Sequence, residues 1–107
     1  MNSTLILSDT ALLAATIMAG LHCSEQITSA SITDENHRGY RYGEVEACQL
    51  KPQFCLLSEI ELKRWAEGEA RSIFSSLYPG HVFIVIAHAM KLPHGCVQLQ
   101  ITADCIN

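Results

Sequence analysis

The chain has 107 residues, 49% of them hydrophobic and 17% charged, with a mean hydropathy of +0.17. Such a chain buries enough apolar surface to offset the entropy of ordering, which excludes a disordered segment, and its length suits one domain. Seven Lys and Arg against eleven Asp and Glu leave a net charge of -4, so no basic field steers it toward nucleic acid or an anionic membrane.

Residues 5–23 are apolar enough to be tested as an export signal or membrane span. They fail both tests, because Met1-Asn2-Ser3-Thr4 carries no Lys or Arg and Asp9 interrupts the run. A cytoplasmic protein without a membrane anchor is the expectation. Within this stretch, residues 9–21 have helical periodicity, with Ser8 or Asp9 as cap and Leu12, Leu13, Ile17 and Leu21 recurring every three to four positions. A helix without charge from Thr10 to Leu21 needs cover on most sides, so it lies in the core or meets a second subunit, with Leu12, Leu13 and Ile17 as the homodimer contact.

Residues 27–33 are β-branched or small and read as a strand, residues 34–39 as a turn, and residues 40–50 as a second strand of mixed polarity, near an edge or exposed on one face. Residues 58–77 form the clearest helix. Ser58 and Glu61 make a capping box, Leu62, Ala66, Ala70, Ile73 and Leu77 the buried stripe, and Trp65 and Phe74 its margins. Glu59 with Lys63, and Glu67 with Arg71, read as solvated pairs four residues apart, while Gly68 marks close packing. Tyr78-Pro79-Gly80 stops the helix, and the nearly continuous apolar run at 81–90 predicts a central strand. After a turn at 91–95, residues 96–105 alternate as a last strand, with Val97, Leu99, Ile101 and Ala103 on one face.

The order α-β-β-α-β-β predicts a single small α+β domain, a mostly antiparallel sheet with a helix packed on one face. Its other face needs the first helix or a second subunit to shield it.

The segment Leu57-Ser58-Glu59-Ile60-Glu61-Leu62-Lys63-Arg64-Trp65-Ala66, continued by Tyr78-Pro79-Gly80-His81-Val82-Phe83-Ile84-Val85, resembles a pattern in small phage and prophage accessory proteins. That group includes inhibitors of host defence, so the resemblance implies a protein-binding role and assigns no site. The layout is also similar to that of secretion chaperones, which bind unfolded effectors as dimers.

Signs of chemistry are sparse. An odd cysteine count, at 23, 48, 55, 96 and 105, argues for reduced, mostly buried thiols rather than a disulfide framework. His94, Cys96 and Cys105 are the most ligand-like group, with Cys48 and Cys55 as further donors, but paired Cys-x2-Cys spacing is absent and neither metal nor cofactor is expected. His22-Cys23 and His88 are weighed as nucleophile or base, and Glu44 with Glu46 as an acid-base pair; a capped helix end, a core histidine and a solvated strand face explain them as well. A small thiol- or zinc-dependent hydrolase stays as the enzyme alternative, with no catalytic residue assigned. Arg38, Tyr40, Arg41, Tyr42 and Glu44 combine residue types enriched at binding hot spots and are the expected contact for a protein partner. The expected function is therefore non-enzymatic occlusion of another protein.

Overall fold

The computed structural model describes residues 9–33 and 41–106. Helix α1 (Asp9–Cys23) runs without a break into strand β1 (Ser24–Thr33), followed by β2 (Arg41–Leu50), a single helical turn α2 (Pro52–Cys55), α3 (Glu59–Leu77), β3 (Phe83–Leu92) and β4 (Cys96–Cys105). The helix thus extends two residues past its expected end and the first strand starts three residues early. The turn expected at 34–39 lies outside the described residues.

All strand pairs are antiparallel, in the order β1-β2-β4-β3. Each half of the molecule is a helix followed by a hairpin, α1-β1-β2 and α3-β3-β4, and the two hairpins meet along the β2–β4 seam. Here β2 is an interior strand, not an edge. The apolar strand β3, expected at the centre, is an edge strand instead. Its continuous hydrophobic run has two causes: Val85 and Ala87 are buried in the core, while Ile84 and Ile86 on alternate positions stand outside.

Both helices cover the same face of the sheet and share its core with Val45, Val97, Leu99 and Ile101. The first helix therefore does not shield the opposite face. α3 is held at its start by the expected capping box, in which Glu61 N–H donates to Ser58 Oγ at 3.1 Å and Ser58 N–H donates to Glu61 Oε1 at 2.8 Å. Leu62, Ala66 and Ala70 are buried as read, and Phe74, expected at the margin, is fully buried and stacks on Phe83 at 5.2 Å. Leu77 is exposed instead. Fully burying side chains such as Leu62 or Phe74 contributes about 1.5–3 kcal/mol each.

Close packing falls at Gly43, not Gly68. A Cβ at Gly43 would stand 2.5 Å from Thr16 Oγ1 and 3.2 Å from Leu12 Cγ, so glycine lets α1 lie directly on β2, whereas Gly68 has no atom within 4 Å of that position. No helix among the described residues is long and apolar enough to cross a membrane.

Candidate functional site

Among the described residues no helix covers the second face of the sheet, and that face is built by strand alternation. Along β2 and β4, core-facing residues are buried and their neighbours half-buried, so Tyr42, Glu44, Glu46 and Cys48 share the outer face with Cys96, Gln98, Gln100 and Thr102. Register places Glu44 opposite Gln100, Glu46 opposite Gln98, and brings Cys48 beside Cys96 at the next step. Glu44 is the hub of this face. Its Oε2 accepts from Gln98 Nε2 at 2.8 Å, from Gln100 Nε2 at 3.2 Å and from the Tyr42 hydroxyl at 3.2 Å. Three donors on one oxygen fix these side chains into a flat polar platform.

Beside the platform runs an apolar row. Ile84, Ile86 and Met90 of β3 are 49%, 45% and 52% exposed, and His88 lies among them, opposite Gln100. His88, Met90, Gln98, Gln100 and Glu59 line a shallow cleft of about 360 Å³. An exposed apolar row therefore borders an ordered polar surface on this face.

The edges flanking this face are partly protected. On β3, Ala87 N–H donates to Glu67 Oε2 at 3.0 Å and Lys91 N–H donates to Glu59 Oε2 at 2.8 Å, so carboxylates of α3 take backbone donors that an added strand would need. Glu67 is buried, against the expectation of a solvated pair. Burial pushes its carboxyl up, but Lys63, the Ala87 N–H and Arg71 more than offset this and hold it below its ordinary value of 4.5. β1 is protected differently, by a register shift between Ile27 and Ser29 where Thr28 Oγ1 donates to Glu46 O at 3.1 Å.

Of the expected contact residues, Tyr42 and Glu44 lie on the open face. Arg41 does not: it is 5% exposed and shares the core-facing parity of Gly43 and Val45. Arg38 and Tyr40 are outside the described residues. In α1, Leu12 is fully buried beneath Gly43 and belongs to the core, whereas Leu13 is exposed and Ile17 half-buried on the outer side with Met18 and Leu21. Only part of the expected dimer contact therefore faces outward.

The cysteines also depart from expectation. Cys48 and Cys96 form a disulfide, with Cα atoms 4.1 Å apart, while Cys23, Cys55 and Cys105 are not disulfide-bonded. The His94, Cys96 and Cys105 group is not assembled, because Cys105 ends β4 opposite Phe83 while Cys96 begins it opposite Leu92. His94 and Cys96 instead line a cleft of about 370 Å³ with Cys55 and Lys91. The Cys55 thiol donates to Leu50 O and Lys51 O at 3.6 Å. Cys23 is buried, and burial, then the nearby Cys55, pushes its thiol up to about 11. A thiol so raised is a poor nucleophile, and its neighbour His22 pairs with Glu69 Oε1 at 3.3 Å instead.

Two features escaped sequence reading: the disulfide and the carboxylates on the β3 backbone. The first had a signal, since Cys48 lies near the end of one predicted strand and Cys96 begins another; pairing those strands antiparallel brings the two together. Compared with known protein families, curated proteins and solved structures, the chain matches none of them.

Proposed function

We propose that this is a non-enzymatic protein-binding module that occludes its partner with the helix-free face of the sheet. One observation carries this reading: Ile84, Ile86 and Met90 stand exposed in a row beside the Glu44 platform, on a face that neither helix covers. With the β3 edge partly closed by Glu59 and Glu67, recognition runs through side chains of the face, Tyr42 and Glu44 included, rather than through strand addition. The resemblance of residues 57–85 to phage and prophage accessory proteins supports a host protein as the partner and the cytoplasm as the setting. Self-association is proposed for the opposite side of the molecule, where Leu13 and Ile17 are joined by the exposed Met18 and Leu21 of α1.

Hydrogen exchange and cross-linking on the complex captured from source cells test the first part. Protection is expected on β3 and β2, with capture lost in Ile86→Glu and retained in Arg64→Glu on the exposed side of α3. Protection confined to α3, or capture unaffected by Ile86→Glu, overturns it. For the second part, native mass spectrometry is expected to show a dimer that Leu13→Glu converts to monomer; a monomeric parent protein at tens of micromolar overturns it.

A further inference from the structure

We propose that Glu46, Cys48 and Cys96 form a redox-gated zinc site, closed while the two cysteines are joined and open to Zn²⁺ once they are reduced. Among the described residues, one donor atom from each of these three side chains lies within 4.8 Å of the others. Two thiolates and a carboxylate are a donor set that Zn²⁺ takes readily, with water as the fourth ligand in an open tetrahedral site.

The backbone assembles this set whatever the redox state. Seven rungs from Arg41↔Ala103 to Ala47↔Val97 fix the β2–β4 register, and the next rung opposes Cys48 and Cys96. Glu46 lies two residues before Cys48 and so points to the same face. Cleaving the bond leaves the sulfurs facing each other, needing only side-chain rotation to reach the separation of about 3.8 Å that Zn–S bonds of about 2.3 Å require. All three residues are half-buried, open to solvent and reductant yet partly shielded.

The chemistry balances with a small cellular thiol as reductant. Two thiol molecules deliver two electrons and two protons to the S–S bond and leave as their own disulfide, giving the Cys48 and Cys96 thiols. Zn²⁺ then displaces both thiol protons to solvent as it binds the thiolates. Exchange with the small-molecule disulfide reverses the step: it accepts two electrons from the Cys48 and Cys96 thiolates, takes up two protons and leaves as two thiols, and the metal is expelled because disulfide sulfurs are no longer thiolate ligands.

Co²⁺ replaces Zn²⁺ as an optical probe. Protein reduced with a phosphine and freed of it is expected to bind one equivalent of Co²⁺, with tetrahedral d–d bands and a thiolate charge-transfer band that Zn²⁺ abolishes. Cys48→Ser or Cys96→Ser should weaken binding at least a hundredfold, and Glu46→Gln about tenfold. Oxidised parent protein, which needs no substitution, should bind none, and Cys55→Ser should bind as the parent does. The proposal fails if the reduced protein shows no thiolate–Co²⁺ band, if the oxidised protein shows the same band, or if the band follows Cys55 rather than Cys48 and Cys96.

Discussion

The two edges of the sheet are protected by different means. β1 protects itself: a polar run, Ser-Glu-Gln-Ile-Thr-Ser-Ala-Ser-Ile-Thr, with an extra residue at Thr28 breaks the regular spacing a foreign strand would copy. β3 is regular and carries no formal charge from Phe83 to Met90, so its protection comes from outside, from Glu59 and Glu67 of α3. An edge can thus be protected by its own sequence or by a neighbour's side chains, and only the second kind loses protection when a carboxylate is removed.

The largest effect on stability is expected away from both edges. Cys48→Ser removes a cross-link spanning 48 residues, which by loop entropy contributes about 4 kcal/mol. Urea unfolding should show that loss with no gain in self-association, because neither edge is opened. Next comes Glu67→Leu. Losing a charged acceptor for Ala87 N–H and a partner for Lys63 costs about 2–3 kcal/mol, and light scattering should rise with concentration as the β3 edge becomes available. Equal scattering in the two variants would make association a generic result of instability and break the comparison.

Acid sharpens it. Glu67 has a folded pKa below its ordinary value of 4.5, so its contribution is present above that value and is lost as pH falls through the lower folded pKa. Acid-induced association should therefore begin below about pH 4.5 and should need β3, since the β1 bulge is held by a threonine hydroxyl and peptide groups that do not titrate. Deleting Thr28 restores regular spacing while leaving Ile27 opposite Ala47 and Ser29 opposite Glu46. A cost of about 1 kcal/mol and a modest rise in association are expected, checked by urea unfolding and sedimentation. Smallest is Ser58→Ala, which removes one half of the capping box and costs about 1 kcal/mol or less, measured by thermal unfolding.

Elements whose pattern is local were legible from the residues. Ser58 and Glu61 announce the start of α3, and alternation assigns Val97, Leu99, Ile101 and Ala103 to the core face of β4. Strand order was not legible, because an apolar run such as Phe83-Ile84-Val85-Ile86 looks the same at the centre of a sheet as at an edge protected by a helix. The role of Glu67 was hidden for the same reason: four-residue spacing to Lys63 and Arg71 describes an exposed pair equally well, and only packing against Ala87 buries it. Of the residues expected at the contact, Tyr42 and Glu44 lie on the outer face and Arg41 lies in the core, a placement that alternation in β2 left open because it offered two mixed faces with no clear inner one. Gly43 settles the choice, since the face carrying it is the one α1 presses against.

The division into two helix-plus-hairpin halves joined along β2 and β4 bears on how the chain comes together. Each hairpin pairs neighbours in sequence, whereas the seam joins Arg41 to Ala103 and must wait until nearly all of the chain exists. Leu56, between α2 and α3, is 93% exposed and sits at the crossing point between the halves. A cut there leaves each fragment with its own helix and hairpin, an unpaired seam strand, and one of the two cysteines that bridge it. Folding of the intact chain is in this sense the docking of two complementary fragments tethered by a short linker, and mixing the separated fragments should rebuild the sheet with second-order kinetics.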